Sequence, residues 1–122
     1  MAFNIFISKI ARGEEIAVYG DGKQKRDFTF VGDTVAGTML ASQAEPGSVY
    51  NVGAGKTSSL NDVISTIESI LGKKARIKRS RNALGDVRDT SADISRIKSE
   101  LGYEPATTLT DGLKKQVAAL VV

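Results

Sequence analysis

Apolar residues near the start of the chain recur three and four positions apart. Phe3, Phe6, Ile7 and Ile10 make one face of a helix, and Gly13 stands where such a helix ends. From Glu15 to Tyr19 the period shortens to two, which predicts a strand. Gly20, Asp21 and Gly22 are turn residues, because glycine supplies positive φ without steric cost. Asp27 to Val31 is aromatic and β-branched, so it reads as the returning strand. Asp33 or Thr34 is placed to cap a helix running to about Gln43. Pro46 and Gly47 punctuate, and Ser48 to Val52 reads as a third strand.

The strongest helical pattern follows. Ser59 is a candidate N-cap with Asp62 three residues on, a variant of the capping box. Leu60, Val63, Ile64, Ile67, Ile70 and Leu71 form one broad stripe, and Gly72 stops it. Lys74 to Ser80 alternates and predicts a fourth strand, and Arg81 to Ser91 is a polar loop. Asp93 can cap Ile94 to Leu101, with Gly102 beyond, and Thr110 can cap a last helix carrying Leu113, Val117 and Leu120. The sum is an α/β fold of short strands and about five helices, without repeats or linkers.

Composition narrows this picture. At 122 residues the chain makes one domain, residues 1–122, and not two. It has no cysteine and no histidine, which removes disulfides, thiol nucleophiles, imidazole bases and the usual zinc ligands. No metal site is expected. No apolar run is long enough to span a membrane and no secretory signal is visible, so the expected location is cytoplasmic. A net charge of +3 suits an anionic ligand but is too small to argue for nucleic acid by itself.

Two stretches imitate known chemistry. Gly53-Ala-Gly55-Lys56, between an apolar run and a helix, looks like a phosphate loop. A Walker A loop needs a glycine five positions before its Gly-Lys pair, and that position is Tyr50. A dinucleotide fingerprint needs glycine or alanine at Ser58, and the next strand lacks an acidic residue for a ribose. Its basic end leaves a 2′-phosphorylated cofactor conceivable, but the preferred reading is a tight strand-turn-helix connection. Tyr19 and Lys23 have the spacing of a catalytic dyad, which requires a helix that Gly20 and Gly22 oppose.

The segment from Ile16 to Asp33, containing Gln24-Lys-Arg26-Asp-Phe28, resembles a hallmark of nucleotide-sugar epimerases and dehydratases of the extended short-chain dehydrogenase/reductase family, the UDP-glucose 4-epimerase type among them. Three further blocks follow in the family's order. They are Tyr50-Asn-Val-Gly-Ala-Gly55, then Gly85-Asp-Val-Arg-Asp-Thr-Ser-Ala-Asp-Ile-Ser95, then Leu101-Gly-Tyr-Glu-Pro105 with Asp111-Gly-Leu113. The resemblance starts partway into the family pattern. It therefore implies the C-terminal, substrate-binding part, with neither the NAD-binding Rossmann domain nor the catalytic serine or threonine and tyrosine-lysine pair. No catalytic residue and no cofactor site is expected in this chain, although full-length members use NAD.

The resemblance also implies roles. Arg26 would contact the nucleotide, where a guanidinium can fork onto phosphate or ribose; pairing with Asp27 or Asp21 is the alternative. Phe28 would lie beside the ribose or phosphate, or simply face inward. Ala17 and Tyr19 would meet the base through backbone and ring, with core packing the rival for Tyr19. Leu60 would make an apolar contact at a helix start, or belong to the core. Asp86 would accept from ribose hydroxyls, or serve as a loop residue. Three residues before it, where the family commonly has a diphosphate-binding arginine, stands Ala83, with Arg81 near enough to substitute.

The implied ligand is a UDP- or dTDP-sugar. The basic run Lys73, Lys74, Arg76, Lys78, Arg79 and Arg81 has no interleaved aromatics for base stacking, so it reads as a solvated edge strand rather than a nucleic-acid surface. A second function class remains. The chain could be an interaction module or a subunit of a split epimerase, pairing with itself through Phe3, Phe6, Ile7 and Ile10 or with a separate Rossmann-domain chain.

Overall fold

The computed structural model describes residues 2–81 and 86–121. Ala83 and Gly85, which enter the sequence reading, lie outside them.

Helix α1 (Ala2–Arg12) ends at Gly13, whose φ of 71° is the left-handed conformation that stops a helix without a Cβ penalty. Strand β1 (Glu15–Tyr19) follows, with Ile16 and Val18 inward and Glu15, Ala17 and Tyr19 outward. Its partner is β4 (Arg76–Ser80), parallel, in a register running from Glu15 opposite Arg76 to Tyr19 opposite Ser80. Helix α3 (Leu60–Leu71) and helix α5 (Leu109–Leu120) join α1 against the inner face. Phe6, Ile7, Ile10, Ile16, Val18, Val63, Ile64, Ile67, Leu113 and Val117 form the main core there. A second core joins helix α2 (Val31–Ala41) to helix α4 (Ser95–Leu101) through Ile94, Ile97, Tyr103, Leu40, Tyr50 and Val52.

The returning strand over 27–31 does not form. Strand β2 is only Lys25–Arg26, and it pairs antiparallel with β3 (Ser58–Ser59) while β1 takes β4. After Arg26 the chain leaves the ladder because the Asp27 carboxylate takes backbone amides from another loop, and Val31 already begins α2. The third strand, 48–52, is also absent; that segment runs beside the second core without a ladder partner among the described residues. Asp33 is no cap. Phe30 holds the N-cap position, and the buried Asp33 carboxylate accepts the amides of Ala106 and Thr107, both at 3.0 Å. The last helix is capped by Thr108 rather than Thr110, its hydroxyl accepting from the Asp111 amide.

The capping box at α3 is complete. Ser59 Oγ accepts the Asp62 amide at 3.1 Å, and Asp62 accepts the Ser59 amide at 3.0 Å. Hydrogen bonds from the Ser59 hydroxyl and amide hold the Asp62 carboxyl below its usual range. A depressed carboxyl adds stability above its unfolded pKa, and that stability is lost as pH falls through the folded value. Ser59→Ala is therefore expected to cost about 1 kcal/mol at neutral pH. It should also weaken the loss of stability below the ordinary Asp pKa of 3.8, read from urea midpoints across pH.

Candidate functional site

The site grows from the short strand β2. Gly22 makes the turn before it at φ 71°, and a Cβ there would sit 2.1 Å from Asn61 Oδ1, so the turn closes tightly on the start of α3. Asn61 donates its amide to the Gly22 carbonyl, and Leu60 donates to Gln24. On the other flank, Lys25 donates to the Arg88 carbonyl and accepts from Thr90. Residues 86–90 and the start of α3 are thus laid alongside Arg26.

Arg26 is the centre of this junction. One Nη donates to Asp86 Oδ1 at 2.7 Å and to the Val87 carbonyl; the other donates to the carbonyls of Lys25 and Arg88 at 2.8 and 2.9 Å. Residues far apart in sequence, both inferred for the same ligand, are thereby joined in an ion pair whose side chains are 27% and 39% exposed. The pairing of Arg26 with Asp27 or Asp21 does not occur. Asp21 instead meets Arg88 at 3.5 Å, and its carboxyl is held low by the Lys23 amide first and by Arg88 after that.

Ala17 and Tyr19 lie on the solvent face of β1. Tyr19 is 52% exposed, so it is not a core residue. Gln24 donates to its carbonyl, which ties the end of β1 to β2. Leu60, the first residue of α3, is half-buried against the main core beside Ser58 and Ser59, the partners of β2. Phe28 turns elsewhere. Its ring packs on Phe3 with centroids 4.8 Å apart and lines an apolar groove of about 700 Å³ between α1, α5 and residues 27–31. The structure thus gathers Arg26 and Asp86 directly, puts Leu60 next to their strand, and sets Phe28 on a different surface. Ala83 lies outside the described residues.

Asp27 is the residue that sequence reasoning missed. Its carboxylate accepts the amides of Ala54 and Gly55 at 2.8 and 2.9 Å and the Thr29 hydroxyl at 3.0 Å. A glycine loop whose amides converge on an anion is what a phosphate loop offers; here the anion is the chain's own side chain. The glycines follow from that closeness. A Cβ on Gly53 would lie 2.6 Å from the Ala92 Cβ and 2.8 Å from Asp27 Oδ2, and Gly55 has φ 66°. The buried Tyr103 hydroxyl donates to the Gly53 carbonyl at 2.8 Å, and burial pushes that phenol's pKa up. The only sequence signal was Asp27 itself, an acid directly after the arginine of an otherwise aromatic run.

Much of the basic run is tied down. Lys74 meets Glu68 at 3.2 Å, Lys73 donates to the Ala11 carbonyl, and Arg79 donates to Gly20 at 3.3 Å. Among the described residues no cluster of acidic side chains could hold a metal ion, and no helix is long and apolar enough to cross a membrane.

Residues 3–116 match the family model described as GDP-mannose 4,6 dehydratase. The chain is 38% identical to an uncharacterised UDP-glucose epimerase of Bacillus subtilis, over 98% of this chain and 39% of that protein. It is 37% identical to a UDP-glucuronate 4-epimerase of Thermodesulfobacterium geofontis, over 92% of this chain and 35% of the relative. The fold superposes with a TM-score of 0.92 on the UDP-glucuronic acid 4-epimerase of Bacillus cereus, solved with UDP-glucuronic acid and NAD; 34% of residues are identical, over 98% of this chain and 39% of that one. For the UDP-glucose 4-epimerase of Thermotoga maritima, solved with UDP-glucose, the TM-score is 0.91 at 32% identity, over 97% of this chain and 38% of that one. The chain thus spans 35% to 39% of the length of these relatives.

Proposed function

Since the chain belongs to the family of nucleotide-sugar epimerases and dehydratases within the extended short-chain dehydrogenase/reductases, we propose that residues 1–122 are the nucleotide-sugar-binding domain of such an enzyme. The observation that carries the reading is the Arg26–Asp86 pair, half-exposed beside the start of α3. A guanidinium supplies permanent charge for a diphosphate, and a carboxylate supplies lone pairs for adjacent ribose hydroxyls. The outward ring of Tyr19 and the backbone at Ala17 would meet the base. Leu60 would make an apolar contact, and Phe28 would contribute only where its groove approaches the ligand. The ligand class is a UDP- or dTDP-sugar.

NAD does not fit the described residues. The glycine loop with dinucleotide-like spacing spends its Ala54 and Gly55 amides on Asp27, so a pyrophosphate there would have to displace a carboxylate. The chain alone is expected to turn nothing over. In a working enzyme it would hold the sugar in register with chemistry supplied elsewhere. The proposed setting is cytoplasmic, with no nucleic acid or membrane as partner.

The test is titration with uridine diphosphate followed by NMR. A dissociation constant of about 0.1–10 mM is expected, since each tenfold is about 1.4 kcal/mol and only part of a pocket is on hand. Calorimetry with NAD should give no heat of binding. Micromolar NAD affinity, or no uridine diphosphate binding at low salt up to about 10 mM ligand, would overturn the reading.

A second reading has its own observation. Ile5, Val31, Val35, Met39 and Val49 are large, apolar and more than half exposed, as on a module that pairs with itself or with a separate NAD-binding chain. The residues first invoked for such pairing do not serve it. Phe6, Ile7 and Ile10 are buried in the main core, and Phe3 packs on Phe28.

A further inference from the structure

Among the described residues no lysine or arginine pairs with the Asp27 carboxylate. Neutral donors meet it instead. Oδ1 accepts the Ala54 amide at 2.8 Å and the Thr29 hydroxyl at 3.0 Å, and Oδ2 accepts the Gly55 amide at 2.9 Å. Successive backbone amides turned toward one point make a concave anion site. Here the side chain of the residue next to Arg26 fills it.

The loop that supplies those amides is itself fixed to the second core. Buried Tyr103 donates to the Gly53 carbonyl, and a Cβ on Gly55 would lie 2.6 Å from Ile94 Cδ1. One peptide away from Asp27, Arg26 has its four Nη hydrogens taken by Asp86, Val87, Lys25 and Arg88. A planar peptide holds neighbouring Cα atoms about 3.8 Å apart, so clamping residue 27 also limits where residue 26 can point. That limit matters for a guanidinium, whose donors form a rigid planar fork and meet several acceptors only from one direction.

We infer that Asp27 is a positioning residue of the nucleotide site: its carboxylate fills an anion cradle in the 53–55 loop and thereby holds Arg26 against Asp86. Asp27 acts through Arg26 and meets no ligand itself. Its effect on affinity rests on the nucleotide-binding reading; the cradle and the aim of Arg26 do not. The cradle is a site for any small carboxylate once the side chain is removed. Asp27 lines the groove between α1, α5 and residues 27–31, so an ion from solvent has a way in.

The test is NMR of Asp27→Ala in sodium formate at about 0.3 M, compared with sodium chloride at the same concentration so that screening is equal. Formate should shift the Ala54 and Gly55 amides of the variant and not those of the wild type. In chloride, the variant's Arg26 side-chain signals and its Val87 and Arg88 amides should depart from their wild-type positions. Uridine diphosphate should bind it about tenfold more weakly, the weight of one hydrogen bond to a charged group. Formate should return both signals and affinity toward wild type. A carboxylate that only steadied the loop would let formate raise the urea midpoint while the Arg26 signals never moved, and that result overturns the inference. So does an Ala54–Gly55 pair that formate leaves unshifted. Asp27→Asn fills the cradle with an amide, so it should weaken binding and ignore formate. Should alanine fail to fold in both salts, Asp27→Asn decides, and wild-type Arg26 signals in it overturn the inference. A wild-type chain that binds no uridine diphosphate defeats the nucleotide reading alone, because the formate response and the Arg26 signals are read without nucleotide.

Discussion

Arg26→Ala is expected to abolish detectable binding of uridine diphosphate, and Lys74→Ala to leave it nearly unchanged. A hydrogen bond to a charged group is worth roughly 1.5–3 kcal/mol, about ten- to hundredfold in affinity. From a millimolar start, that loss carries binding beyond reach. Arg26 also donates to Asp86 and to the carbonyls of Lys25, Val87 and Arg88, so alanine frees the 86–88 segment and displaces Asp86 with it. Both proposed ligand contacts would be lost through one substitution. Arg26→Lys keeps the charge but cannot reach four acceptors, so it should fall between wild type and alanine. Lys74, whose side chain is 90% exposed and bonded to Glu68, lies on the basic run. Affinity from chemical-shift titration of the variants checks this. Equal loss for both would mean that general charge, and not the Arg26 junction, holds the ligand.

Asp33→Ala should give the largest loss of stability, about 3 kcal/mol, because two bonds to a carboxylate worth roughly 1.5–3 kcal/mol each are removed and are not fully additive. The group is only 6% exposed, and its removal leaves the Ala106 and Thr107 amides without their acceptor. It also unties the start of α2 from the turn before α5. Asp33→Asn retains one acceptor oxygen and should cost about half as much. Urea midpoints measure both. An alanine variant within 0.5 kcal/mol of wild type, the range of an ordinary surface change, would show that the bonds carry no net weight.

The contrast between α3 and α2 shows what the sequence made legible. Helix α3 announces itself through a capping box, an unbroken apolar stripe and a terminal glycine, and all three are realised. Those signals are local, and the chain reads them within a dozen residues. Helix α2 starts at Val31 inside a run that has strand composition, because what decides it is tertiary: Asp27 held by a loop far along the chain, and Asp33 held by residues 106–107. By local pattern Asp27 belongs to a strand and Asp33 to a cap for the same reason, since a carboxylate's distant amide partners leave no trace in its neighbours. The 48–52 segment has correct strand alternation and inward residues, and lacks only a neighbour to pair with among the described residues.

The candidate site divides in the same way. Arg26 and Asp86 came from motif resemblance, and their ion pair could not be read from residues so far apart. The outward face of Tyr19 follows from the period of β1, whose inward residues are Ile16 and Val18. Phe28 shows the limit of motif reasoning: neighbouring residues in one motif, Arg26 and Phe28, serve different surfaces because Asp27 redirects the chain between them.

The central claim is that a nucleotide sits at the Arg26–Asp86 junction. Amide shifts of the wild-type chain, mapped residue by residue through a uridine diphosphate titration, test it most directly. The account predicts that the shifts concentrate at Ala17, Tyr19, Arg26, Leu60 and Asp86, saturate together, and vanish in Arg26→Ala. Shifts that instead cluster over Lys73 to Arg81 and persist in Arg26→Ala would contradict it, and would assign the phosphates to the basic edge strand.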